Sequence, residues 1–332
     1  MTRQTRISYA IMVVLLVLIG WFHLGTLVLT AVFGYFALEQ FSLGRSKALA
    51  VVVYFVTVFA AAYGLFFFSK QAYLTLPRIA NESIPKIVEY AEQKGFELPF
   101  TDYASLRTVT LKEIQERFAN IGRYAQEAVF QLVLLIIGLV VAVSLFLNRR
   151  WGADDDPHTT RDSVYATVVQ ELVLRFETFY ASFARVIGAQ IIISAVNTLL
   201  TSVFLLYNHF PYVMVIIVLT FLCGLLPIIG NIMSNTLIVG VGFTISPKMA
   251  LVSLIFLVVI HKLEYFLNSK IIGSRIKNPM WLTLIGIVVG EKLMGIPGMI
   301  LAPVVLHYIK VEASKNKIAG VAREPAPPAV IP

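Results

Sequence analysis

The sequence predicts an all-α, polytopic transmembrane protein with about eight membrane segments, and three observations carry that prediction. Hydrophobic residues make up 58% of the 332-residue chain and charged residues only 14%, whereas a soluble domain carries about a quarter charged residues. Mean hydropathy is +0.80, and several runs reach the ~20 apolar residues that cross a bilayer as a helix. The third observation is that the C-terminal third is apolar yet broken at intervals. The breaks are Leu226-Pro227-Ile228-Ile229-Gly230-Asn231, Ser246-Pro247-Lys248, Asn278-Pro279, Gly290-Glu291-Lys292, Gly295-Ile296-Pro297-Gly298 and Ala302-Pro303. Each break frees backbone groups that hydrocarbon cannot satisfy, so it survives only where protein or water covers it. An anchor gains nothing from broken helices, whereas transporters build solute sites from them.

The formal charge of +8 does not mark a nucleic-acid partner. The Lys and Arg residues sit mostly at the ends of apolar runs, which is the positive-inside pattern. The expected partners are membrane lipids and a small-molecule or ion substrate. With one cysteine, Cys223, an internal disulfide and a thiol metal cluster are both impossible.

The N-terminal block, 1–69, reads as a helical hairpin plus a third span. Arg3 and Arg6 lead into an apolar run with no small-x-small cleavage site, so the first span is expected to remain uncleaved. Gly20, His23 and Gly25 break residues 7–38 near the middle. Arg45 and Lys47 place the far flank on the same side as Arg3 and Arg6, and the third span then leads outward.

Residues 70–127 differ in composition. Acids and bases alternate, Pro77, Pro85 and Pro99 punctuate the stretch, and Leu106, Val109, Ile114, Phe118, Ile121 and Ala125 recur at helical spacing. An extracytoplasmic amphipathic arm, lying on the membrane or on a neighbouring subunit, and a solvated helical hairpin both fit. Residues 128–148 form a clean span ending at Arg149 and Arg150. In 149–185, Asp154, Asp155 and Asp156 lack further ligands at loop spacing and read as a solvated loop. An amphipathic cytoplasmic helix follows, with Val164, Val168, Leu172, Phe176, Phe179 and Phe183 on one stripe, and it continues past Arg185 into a span. Residues 186–311 hold the membrane core with its two broken hairpins, and 312–332 read as a disordered cytoplasmic tail. Both termini are expected in the cytoplasm.

Three places could carry chemistry. His261 and Glu264 share a helix face, but the second His of a zinc-protease helix is missing, so no metal is expected. Glu264, with Asn268 nearby, is a candidate protonatable carboxylate on the path, or else a group near the membrane surface. Glu291 and Lys292 sit at a hairpin tip. If that hairpin is re-entrant the charges lie deep on the transport path, must pair or face water, and Glu291 could carry the coupling proton, so that Glu291→Gln would abolish coupled flux; if it spans fully they mark the outer surface. Pro227, Gly230 and Asn231 form an uncharged break whose freed carbonyls could meet a substrate. Pro279, Gly295, Pro297, Gly298 and Pro303 are the remaining helix breaks or hinges. Nucleophile elbows, phosphate-binding glycine loops and cysteine pairs are absent from the sequence, so an enzyme is not expected and neither is a cofactor.

Arg185-Val186-Ile187-Gly188-Ala189-Gln190, Leu226-Pro227-Ile228-Ile229-Gly230, and Asn278-Pro279 followed by Gly295-Ile296-Pro297-Gly298-Met299-Ile300-Leu301-Ala302-Pro303 resemble the autoinducer-2 exporter (AI-2E) family of bacterial membrane proteins. The resemblance implies a multi-pass protein of the bacterial inner membrane, with cytoplasmic termini and an extracytoplasmic arm after the third segment. It implies a homo-oligomer, a pentamer being one option. It also implies export of a small quorum-sensing furanone or, as in other members, sodium– or lithium–proton antiport. Gly290-Glu291-Lys292 stands where relatives often carry a glycine pair, a departure that bears on which substrate the resemblance carries over. A non-transporting membrane scaffold built around the arm is the reading from another class.

Overall fold

The computed structural model describes residues 3–42, 46–96, 121–148, 163–227, 229–272 and 279–315. Among these it has ten helices and no strand: α1 Arg3–Trp21, α2 Gly25–Phe41, α3 Lys47–Gln93, α4 Ile121–Leu147, α5 Val164–Tyr207, α6 Val213–Gly224, α7 Ile229–Ile245, α8 Pro247–Ile272, α9 Met280–Met294 and α10 Ile296–Lys315. Five are long and apolar enough to cross a membrane: α1, α3, the Gln126–Leu147 part of α4, α5 and α10. α2, α6 and α7 are apolar but shorter. The polytopic all-α expectation therefore holds.

Local chemistry sets several of the boundaries. Ser46 and Ser163 cap α3 and α5, each side chain accepting the backbone N–H three residues on. His23, with φ 53°, and Tyr212, with φ 59°, take the left-handed backbone that reverses the chain before α2 and α6. α2 and α4 approach closely because Gly34 faces Ala142 and Gly138 faces Thr30, where a Cβ would have no room.

α3 departs from the expected punctuation. It runs for 47 residues straight through Pro77 and Pro85, about 70 Å of helix. Tertiary packing overrides the prolines. Thr75, Ile79, Ser83 and Val88 share one buried face, and Ile79 joins a core with Leu205, Phe210, Ile216, Ile238, Val241 and Leu257. The first part of the expected arm is thus a continuation of the third span, seated on α6 and α7 of the same chain. Lys86 donates to the Thr244 carbonyl, and Tyr212 donates to Glu82 over 2.8 Å. Residues 97–120, with most of the expected arm stripe, lie outside the described residues, as do Asp154, Asp155 and Asp156.

α5 is the axis of the molecule. Arg175 pairs with Glu312 of α10 at 3.0 Å, and one turn on the Phe179 ring meets Tyr308 at 5.7 Å. Phe183 and Ile187 continue the ladder against Val304 and Leu301 in one buried cluster. Four residues along α5 answer four residues back along α10, so the α9–α10 turn lies level with about Ile191. From the opposite end, the α6–α7 turn reaches Gln190 and Ser194. Two hairpins thus enter from opposite ends of α5 and turn at the same height. With 12 residues in α6 and 15 in α9, these arms extend about 18 and 22 Å, short of the ~30 Å hydrocarbon core.

The expected boundary between core and disordered tail falls inside a helix. α10 runs to Lys315, and Glu312 is buried. The reason is an ion-pair network: Arg175 bridges Glu171 and Glu312, Tyr9 donates to Glu312, and Lys315 reaches both Glu312 and Thr178. Residues 316–332 lie outside the described residues.

Candidate functional site

The site lies where α5, α7 and α8 converge. Asn231, at the start of α7, donates from Nδ2 to both carboxylate oxygens of Glu264, at 3.1 and 2.9 Å. Asn197 of α5 donates to the second of those oxygens at 3.1 Å. The Asn197 Oδ1 is buried with no protein partner. Thr201, Thr220, Ser234, Asn235 and His261 complete the polar lining, with Ile238, Leu257 and Ile260 behind. The cleft encloses ≈ 380 Å³, open solvent at its mouth included, and its interior free space is water-sized.

The break beside this cleft is held by side chains of α5. The last carbonyls of a helix have no partner within it. Here Gln190 Nε2 donates to the Gly224 carbonyl at 2.6 Å, and Ser194 Oγ donates to that of Phe221 at 2.8 Å. The Leu226 N–H returns to the Cys223 carbonyl. Gly224 leaves room for Ser194, and Gly230 lies so close to the Cys223 carbonyl that a Cβ there would sit 1.6 Å from its oxygen.

The structure joins Asn231 and Glu264, with Pro227 in the turn beside them and Gly230, like Asn231, already in the first turn of α7 and not in the break. The side chain of Asn268 lies outside the described residues. Glu291 and Lys292 are elsewhere, at the end of α9. Their charges stand 4.0 Å apart, with side chains 48% and 80% exposed. The neighbouring Leu293 and Met294 pack on Gly20 and Gly25 at the α1–α2 turn. Gly295, with φ 65°, makes the reversal, and Gly298 crosses the Gly290 backbone without space for a Cβ. Pro279 precedes α9, Pro297 packs on Gly25, and Pro303 is accommodated inside α10.

Asn197, Thr201, Thr220, Ser234 and Asn235 escaped the sequence reading. The available signal was an amide or hydroxyl recurring within otherwise apolar helices, since a polar group in lipid must find a partner. His261 lines the cleft with Glu264. Among the described residues, His, Cys, Asp and Glu nowhere gather in a group of three that could hold a metal.

"Putative transport protein YdbI" of Bacillus subtilis (strain 168) is 26% identical over 212 residues, a stretch covering 60% of this chain and 60% of that protein. A family model described as AI-2E family transporter matches residues 7–315. With nearly its whole length matched, the chain belongs to the AI-2E transport family.

Proposed function

We propose that this transporter is secondary, exporting a small polar molecule of the autoinducer-2 type and driven by a proton or ion gradient, with Glu264 as the coupling group. One observation carries the reading: an ionisable side chain stands among apolar helices, held by two amides at the edge of a polar cleft. Intramembrane carboxylates are costly and concentrate on solute and proton paths. The opposed short hairpins support the same reading, because discontinuous helices from the two sides form transporter sites near mid-membrane. Orientation follows the positive-inside expectation, with the Arg175 end and both termini cytoplasmic in a bacterial inner membrane. The homo-oligomer, a pentamer among the options, rests on the family resemblance.

A sodium– or lithium–proton antiporter is the second reading, and the size and chemistry of the cleft favour it. Water-sized space lined by one carboxylate, amides and hydroxyls suits a small hard cation or a proton. A scaffold would leave the broken hairpins packed dry, whereas here polar side chains face free space.

Proteoliposomes containing a pH-sensitive dye separate these readings. Proton release on adding sodium or lithium supports antiport. Gradient-driven efflux of a furanone without that response supports export. Neither signal from monodisperse protein supports the scaffold.

A further inference from the structure

The α6–α7 hairpin is tied down in two chemically different ways. Its two ends sit on α3, through Tyr212 on Glu82 and Lys86 on the Thr244 carbonyl. Near its turn, Gln190 and Ser194 of α5 make neutral hydrogen bonds to backbone carbonyls, while Asn231 binds a carboxylate on α8. A hydrogen bond to an ionised acceptor is about twice as strong as a neutral one. Asn231 and Asn197 both present N–H groups to Glu264, an arrangement that suits the acceptor-only, deprotonated carboxylate. Protonation removes the negative charge, so the two amides that share Oε2 fall back to bonds of neutral strength. An alkali cation on the carboxylate competes with the same two N–H groups, and Asn197 Oδ1, buried without a protein partner, stands ready as a further oxygen ligand.

We propose that the ionised Glu264 carboxylate latches the turn of the α6–α7 hairpin to α5 and α8, and that a neutralising occupant, proton or alkali cation, releases it to pivot about its attachment to α3. Among the described residues that line the cleft with Glu264 from α5, α6, α7 and its own helix, His261 is the other titratable one; Asn197, Thr201, Thr220, Asn231, Ser234 and Asn235 are uncharged. The latch rests on the reading that Glu264 lies on the transport path, and it supplies the means by which occupancy of that path alters the hairpin.

The chain contains its own reporter. Cys223 is its one cysteine, stands beside the break, and is 4% exposed. In proteoliposomes at pH 7.5, Cys223 is labelled with a polar thiol reagent in N-methylglucamine, potassium, sodium or lithium buffer. A parallel series at pH 5.5 uses dithiodipyridine, which reacts in acid. Release by a cation appears in the first series and release by a proton in the second. Glu264→Gln keeps the shape without the charge and raises labelling about tenfold or more at pH 7.5, with no further response to cation or acid. Asn231→Ala, which leaves the carboxylate untouched, raises it as well. A wild-type rate indifferent to every buffer, with both variants equal to it and melting unchanged, overturns the latch. Flux through the same vesicles separates the two ideas. Flux lost in Glu264→Gln with wild-type labelling removes the latch alone, whereas raised labelling with unaltered flux removes the transport role and keeps the latch.

Discussion

Asn197 shows how a single amide organises the site. It sits on a helix whose other buried residues around it are Ile193, Ser194 and Thr201, and its Nδ2 fixes one oxygen of Glu264. Replacing it with Ala removes that bond and frees space, so coupled transport falls while the helix persists. Flux and melting measured on the same sample check both halves of that statement. Gly230 is a steric counterpart. A methyl group there meets the Cys223 carbonyl oxygen at 1.6 Å, so Gly230→Ala forces the break open. Overpacking of this kind costs about 1–3 kcal/mol or more, read as a lower melting temperature in detergent. Glu291→Gln makes a contrasting case. Its side chain is 48% exposed and does not line the cleft, so, contrary to the sequence expectation for Glu291, its effect on flux falls well below that of Glu264→Gln. At this scale the sequence showed Glu264 and Asn231 because a carboxylate and a break in apolar chain are conspicuous. It did not show that they touch, since 33 residues separate them, and Asn197, 67 residues from Glu264, had nothing local to mark it.

Among the elements, α5 and α10 share a buried charge cluster. The Arg175 and Glu312 side chains are 10% and 5% exposed, and Arg175 also lies 4.4 Å from the Tyr9 ring centroid. Removing one partner strands the other charge, so Glu312→Ala lowers stability by about 3–5 kcal/mol. The double variant Arg175→Met with Glu312→Leu recovers most of it. Melting of the three variants forms the test; equal losses in single and double variants contradict it. The amphipathic stripe of α5 was legible in part: Leu172, Phe179 and Phe183 recur at helical spacing and pack inward, whereas Val164 and Phe176 of the same stripe are exposed. The end of α10 was not legible, because Glu312 and Lys315 look like a charged tail until Arg175 and Thr178 stand opposite. α3 misled for a related reason. Pro77 and Pro85 punctuate a stretch that differs in composition from the span before it, yet the face carrying Thr75, Ile79 and Ser83 is covered by α6 and α7, and that packing keeps the helix whole.

For the whole molecule, the polytopic class was legible from hydropathy alone, and the two broken hairpins from their prolines and glycines. Their opposition was not, because it depends on the register of α5 with α10 and on Gln190 and Ser194 meeting the α6 carbonyls. Those contacts bring one turn from each end of α5 to a common height, with Glu264 just beyond it. In the proposed function this carboxylate couples the moving solute to an ion gradient. Counterflux from proteoliposomes with an imposed proton or sodium gradient, compared between wild type and Glu264→Gln at equal incorporation, addresses it most directly. Wild type is expected to show gradient-driven transport and the variant to lose it, with a monodisperse, cooperatively melting protein in both. Undiminished gradient-driven flux through Glu264→Gln would contradict it.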